Sequence, residues 1–153
     1  MNGDLPETYL SIMKKYNVSP DRINLEITET AAAYEQDVMT DNLKQLAQAG
    51  ISFSLDDYGT GYSNIQRVMH LPFKIIKLDK SFANEENNQK LWIFLKNTVK
   101  MLKEMDMEIV IEGVETQEML EVFTDLQCDF VQGYIFSKPI PQDEFVAFIT
   151  KAN

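Results

Sequence analysis

The sequence predicts an α/β protein with a parallel sheet, and within that class a (β/α) barrel. Three observations carry the prediction. Short β-branched runs alternate with longer segments of helical period, several of the runs are apolar on both faces, and each run ends in acidic or amide side chains. A parallel strand needs a crossover before the next can pair with it, so strand–helix alternation points to parallel pairing with right-handed crossovers.

A helix around residues 5–16 opens the chain, and "INLEIT" (23–28) reads as the first strand. Met39, Leu43, Leu46 and Ala47 then form a helical stripe that stops at Gly50, a plausible helix-ending glycine. "ISFSLD" (51–56) and "FKIIKLD" (73–79) are the next strands. Leu91, Leu95, Val99 and Leu102 make a second stripe, with Lys96, Lys100 and Lys103 on its polar side. "EIVIEG" (108–113) is the fourth strand, and Thr116 is a reasonable N-cap for a helix through Met119, Leu120, Phe123 and Leu126. "DFVQGYIF" (129–136) is the fifth strand, and a helix around 143–151 closes the chain. No repeat, linker or low-complexity stretch interrupts this order, so residues 1–153 are read as one domain.

Composition excludes several classes of function. Hydrophobic residues at 44% and charged residues at 25% suit a folded globular domain rather than a disordered one. A net charge of −10, with no block of lysines or arginines, repels nucleic-acid polymers and anionic lipid, so neither is an expected partner. No apolar run approaches the roughly 20 residues a membrane span needs. The opening "MNGDLPETY" lacks the basic and apolar regions of a leader. With Cys128 as the single cysteine, no internal disulfide can form, and a cytoplasmic, reducing location is expected. Cys128 itself, His70, Trp92 and the eight methionines read as structural or core residues.

The polar residues at the strand ends carry the functional signal. Glu26 and Glu29 end the first strand, Asp56 and Asp57 the second, Lys77 and Asp79 the third; Glu112 and Glu115 follow the fourth, and Gln132 lies on the fifth. Taken singly each has an ordinary explanation: a turn before glycine for the aspartate pair, helix capping for "EGVET", a surface ion pair for Lys77. Together they place oxygen ligands or a lysine at one topological end of five strands. A barrel brings such ends to one mouth, whereas an open sheet gathers ligands at a single switch point. Carboxylates and an amide without histidine or thiolate suit Mg²⁺ or Mn²⁺, with Ca²⁺ as an alternative. One aspartate of the pair could bridge two cations about 3.5–4 Å apart, an arrangement that activates water for phosphoryl displacement. Lys77, surrounded by acids, would keep its proton and steady the attacking water or the developing negative charge.

These residues fall in motifs that resemble the EAL domains, the cyclic-di-GMP phosphodiesterases of bacterial second-messenger signalling. "LEITET" is similar to their E-x-T-E segment, "LDDYGTGYSN" to DDFGTGYSS, "IKLDKSF" to K-I-D-x-S-F, "IEGVET" to A-E-G-V-E-T and "QGYIFSKPIP" to Q-G-Y-x-F-x-x-P. The resemblance implies that Glu26, Asp56 and Asp57 are metal ligands and that Lys77 lies near the nucleophilic water. It further implies that Glu112 is another ligand or a general-base-like partner, that Gln132 orients water or substrate, and that Glu29 and Glu115 anchor the "DDYGTG" loop. The implied reaction opens one phosphodiester of cyclic-di-GMP to give linear pGpG and requires Mg²⁺ or Mn²⁺.

The Glu-Ala-Leu strand that gives the family its name, and the early Asn-x-Ser strand that supplies a further ligand, have no counterpart here; Asn2 lies too late to be that asparagine. The resemblance therefore implies an N-terminally truncated, incomplete barrel with about six of its eight strand–helix units. Such an arc exposes two strand edges and inner apolar surface, to be covered by self-association or by a partner chain. Two functions follow as expectations: an impaired phosphodiesterase, or a non-catalytic module that binds a protein partner or the nucleotide.

Overall fold

The computed structural model describes residues 5–33, 37–59, 69–83 and 88–151. Its elements are α1 (Leu5–Lys15), β1 (Asn24–Thr28), α2 (Glu29–Ala33), α3 (Asp37–Gln48), β2 (Ser52–Tyr58), β3 (Ile75–Leu78), α4 (Gln89–Glu104), β4 (Glu108–Ile111), α5 (Gln117–Asp125), β5 (Phe130–Val131) and α6 (Gln142–Lys151). The strands form one parallel sheet in the order β1-β2-β3-β4-β5. Each strand joins the one before it, with no reversal of strand order. This is the sequence of a barrel wall, not of a doubly wound sheet.

Because successive side chains on a strand point to opposite faces, the register decides what each face carries. Ile27, Leu55, Ile76 and Ile109 lie in one row across four strands, and Leu78, Ile111 and Val131 in another. These residues form the helix-side face of the sheet. There they join Leu43 and Leu46 of α3, Leu95, Val99 and Leu102 of α4, and Met119 and Phe123 of α5 in one core. Burying a side chain of this size contributes roughly 1.5–3 kcal/mol. The helical stripes read from the sequence are the faces that do this. Thr116 caps α5 by accepting the Met119 N–H at 3.3 Å, and Trp92 of α4 packs a tilted ring against Phe123.

The opposite face is mixed. It holds Asn24, Glu26, Ser52, Ser54 and Asp56 on β1 and β2, so those two strands are apolar on one face only. Asn24 and the two serines satisfy each other, with Ser54 Oγ donating to Asn24 Oδ1 at 2.7 Å and Asn24 donating to Ser52 Oγ at 3.1 Å. On this side β3, β4 and β5 carry Ile75, Val110 and Phe130, so apolar side chains stand on both faces of those three strands. The fifth strand is also shorter than its apolar run suggests: Phe130–Val131 rather than 129–136. Five strands, not six, are present among the described residues.

Asp129 compensates for the brevity of β5. Its backbone N–H donates to Ile109 O at 3.0 Å, and its Oδ2 accepts the Ile109 N–H at 2.7 Å, clipping the start of β5 to the start of β4. Lys103 of α4 pairs with the same carboxylate. Although burial opposes its charge, the Lys103 pairing and the Ile109 N–H hold the Asp129 carboxyl below its usual range. A depressed carboxylate stabilises the fold above its unfolded pKa of about 3.9 and loses that contribution as pH falls through the folded value. Asp129→Asn should therefore cost about 1 kcal/mol at neutral pH, the partly exposed ion pair being screened by solvent. In urea titrations the gap to the parent chain should close below about pH 3.9. Nearby, burial and then the charge of Asp129 push the Cys128 thiol up to about 11, so it is not a reactive thiolate at neutral pH.

β1 and β5 are the two edges of the sheet. α6 has no buried residue, and its Phe145, Val146, Phe148 and Ile149 stand exposed. No helix among the described residues is long and apolar enough to cross a membrane.

Candidate metal centre at the strand ends

Lys77 is the hub of the site. It sits on β3, is buried, and its Nζ lies 2.9 Å from Glu26 Oε2 of β1, 2.9 Å from Asp56 Oδ1 of β2 and 2.9 Å from Glu112 Oε1 just past β4. Burial alone would push this ammonium down, but Glu112, Glu26 and Asp56 together outweigh it and hold the pKa above the ordinary lysine range. Lys77 therefore stays charged through any neutral or mildly alkaline assay. A raised lysine stabilises the fold fully below its unfolded pKa of about 10.4, and that contribution fades only above it.

A straight strand would send Asp56 and Asp57 to opposite faces. The β2–β3 register shifts between Leu55 and Tyr58, and Asp57 adopts φ +58. Aspartate tolerates this left-handed backbone better than most residues, and the irregularity re-aims the chain at the strand end. As a result, carboxylate oxygens of Asp56, Asp57 and Glu112 lie within 4.8 Å of one another. Such a group of anions is unfavourable unless cations offset it, and Lys77 supplies one positive charge against four carboxylates. Asp56 Oδ1 is buried and faces Lys77 at ion-pair distance without the angle of a hydrogen bond, which leaves it free to accept a further cation. The donor set consists of hard oxygens and fits a Mg²⁺ or Mn²⁺ ion.

A cavity of about 360 Å³ opens beside the trio, lined by Asp57, Asp79, Glu112, Gly113, Glu115, Gln132, Gly133 and Tyr134. Gln132, one of the residues lining the cavity, is fixed by its backbone, donating to Ile111 O at 2.8 Å and accepting from Val114 N at 3.2 Å. Glu115 stands exposed on the rim. Glu29 lies apart from this group. It is buried at the start of α2, and its Oε2 accepts the Gly59 N–H at 2.8 Å, so it holds the backbone that follows the aspartate pair. The "TGYSN" part of that loop lies outside the described residues. Glu26 joins the site through Lys77 and is not part of the tight trio, where Glu112 stands instead. Asp79 lines the cavity too, its Oδ1 accepting the Ser81 N–H at 2.8 Å. Its place two residues after Lys77, at the same strand end, was the available signal for a role the sequence reading did not assign. His70 is exposed and plays no part here.

Gly133 allows the two sides of the cavity to meet. A Cβ there would lie 1.9 Å from Val114 O and 2.5 Å from Val114 N, a clash with backbone that cannot rotate away. Gly133→Ala should lower stability by roughly 2–4 kcal/mol, seen as a fall in urea midpoint, because the Gln132–Tyr134 turn and Val114 must part. A midpoint shift below about 0.5 kcal/mol, the ordinary range of surface substitutions, would show that the close approach is not required.

A family model described as EAL domain matches residues 1–139. Among curated relatives, the cyclic di-GMP phosphodiesterase RocR of Pseudomonas aeruginosa is 30% identical over 145 residues, covering 94% of this chain and 37% of RocR. Among solved structures, the phosphodiesterase MucR of Pseudomonas aeruginosa in complex with c-di-GMP superposes with a TM-score of 0.85 at 30% identity, over 93% of this chain and 58% of that one. BlrP1 of Klebsiella pneumoniae, solved as a manganese and cyclic-di-GMP complex, gives 0.79 at 26% identity over 88% of this chain and 35% of that one. The chain spans between 15% and 37% of the length of the curated relatives it matches. The five-strand wall and its helices are those of the EAL barrel.

Proposed function

The chain belongs to the EAL domain family, and from that premise we propose that it hydrolyses cyclic-di-GMP to linear pGpG with divalent cations held at the strand ends. The observation that carries this reading is the convergence of Asp56, Asp57 and Glu112 around one buried lysine at the mouth of a cavity. Asp56, Asp57 and Glu112 would hold the cations, and Glu26, paired with Lys77, would add a further carboxylate to the site. Bound there, a pair of Mg²⁺ or Mn²⁺ ions supplies a water deprotonated at neutral pH and neutralises the phosphoryl oxygens.

The protein's own residues do the rest. Lys77 keeps its proton and presents a fixed positive charge to the attacking water and to negative charge building on phosphorus. Glu112, within reach of both Lys77 and the aspartates, orients the water as it moves onto phosphorus. Gln132 directs substrate or water from the opposite wall of the cavity. Glu29 fixes the backbone after Asp57, and Glu115 shapes the rim. The water oxygen bonds to phosphorus, one ribose P–O bond breaks, and the released ribose oxygen takes up a proton. A second reading, a module that binds the nucleotide or a protein without turnover, is favoured by the half-exposed Glu26 at the β1 edge, where the site is open. Incubating the purified chain with Mn²⁺ and cyclic-di-GMP separates the two. Appearance of pGpG in chromatographic assays supports hydrolysis; nucleotide binding by calorimetry with no pGpG above a blank supports the module.

A further inference from the structure

Among the described residues, the cavity beside the metal centre is lined by four carboxylates and no basic side chain. Cations held by the aspartates and Glu112 neutralise one phosphate. A cyclic dinucleotide carries two, on opposite sides of one ring. When the first lies at the cations, the second stays within the mouth and faces acids. Like charges at that range repel, so a substrate held this way needs a further positive group. A second cavity of about 390 Å³ holds one. It shares Gln132, Gly133 and Tyr134 with the first, and Lys138 is the single basic residue among the described linings of the two.

Lys138 is held in place from both ends. Its Nζ lies over the Tyr134 ring, 5.7 Å from the centroid, within the range of a cation–π contact. Tyr134 stands on the turn that Gly133 packs against Val114. That turn is fixed by the Ile135 N–H donating to Val114 O at 3.1 Å and the Phe136 N–H donating to Gly133 O at 3.2 Å. After Lys138, Pro139 and Pro141 restrict the backbone, and Ser137 Oγ donates to Lys138 O at 2.7 Å. Because Tyr134 lines both cavities, the ammonium rests on the wall that they share.

Resting on the reading of the chain as a cyclic-di-GMP phosphodiesterase, we propose that Lys138, seated on Tyr134, binds the substrate's second phosphate, the one that is not cleaved. A lysine ammonium is a compact point charge that suits a phosphate oxygen, and the ring beneath it limits the freedom lost on binding. Lys138 thereby selects diesters that carry two phosphates over those that carry one. It takes no part in making or breaking the P–O bonds, so its contribution falls on substrate binding and not on the chemical step.

The test compares two substrates, cyclic-di-GMP and bis(p-nitrophenyl) phosphate, a diester with one phosphate, both with Mn²⁺. Lys138→Gln, a change at an exposed position, should lower kcat/KM for cyclic-di-GMP about tenfold, carried by KM, and leave the single diester at the parent value. Lys138→Arg keeps the charge and should keep the parent preference. Added salt should raise the parent's KM for the dinucleotide more than that of Lys138→Gln, since it screens the contact under test. If the parent binds cyclic-di-GMP without turnover, calorimetry should show the same tenfold loss in Lys138→Gln and none in Lys138→Arg. Equal losses on both substrates, or none on either, overturn the role of Lys138 and leave the phosphodiesterase reading standing. A parent chain that neither binds nor hydrolyses cyclic-di-GMP overturns that reading, and this inference with it.

Discussion

Asp56→Asn is expected to lower hydrolysis of cyclic-di-GMP by on the order of 10³-fold or more while leaving the fold intact. Asparagine keeps the shape of the side chain but replaces one oxygen by a nitrogen donor and removes the charge, so it cannot lie between two cations. The structural loss is small by comparison. Lys77 keeps Glu26 and Glu112 at 2.9 Å, and the repulsion among Asp56, Asp57 and Glu112 is relieved. Urea midpoints should therefore stay near the parent value while Mn²⁺ binding weakens in calorimetric titrations. Turnover within tenfold of the parent would remove Asp56 from the chemistry. A large fall in stability would assign it a structural role.

Lys77→Met is expected to separate turnover from metal binding. Without the ammonium, Glu26, Asp56 and Glu112 face one another with no cation between them, and the metal-free chain should lose about 2 kcal/mol or more of stability. Turnover should fall by about 10²–10³-fold, the usual cost of removing one placed electrostatic contact to a transition state. Mn²⁺ affinity should instead hold or rise, because a competing positive charge has gone, and Mn²⁺ should recover more stability in this variant than in the parent chain. Pairing thermal melts with and without Mn²⁺ against product assays distinguishes this from general unfolding. A variant that loses metal binding and activity together, with no recovery by Mn²⁺, would show Lys77 to be a scaffold for the acids alone.

Much of this site was legible in the sequence because parallel strands all end at one side of the sheet. Once "LEITET", "SLDDYG", "IKLD" and "VIEGVE" are read as strand ends, Glu26, Asp56, Lys77 and Glu112 must come together, and they do, around the Lys77 ammonium. How two adjacent aspartates serve one site was not legible. The answer is a backbone irregularity and a left-handed Asp57, which hydropathy does not encode. The replacement of Glu26 by Glu112 in the tight trio likewise depends on side-chain reach across strands. "DFVQGYIF" was over-read because an apolar run carries no mark of where pairing stops. Gly133 packs its bare backbone on Val114 and turns the chain after Gln132. The polar inner face of β1 and β2 was masked by short strands in which one glutamate, one asparagine and two serines sit among apolar neighbours.

The most direct measurement is anomalous diffraction from crystals of the chain grown with Mn²⁺. Two peaks about 3.5–4 Å apart, held by Asp56, Asp57 and Glu112, are expected. Manganese bound elsewhere on the acidic surface, with no peak beside the aspartate pair at saturating metal, would contradict the assignment of these carboxylates as the metal centre.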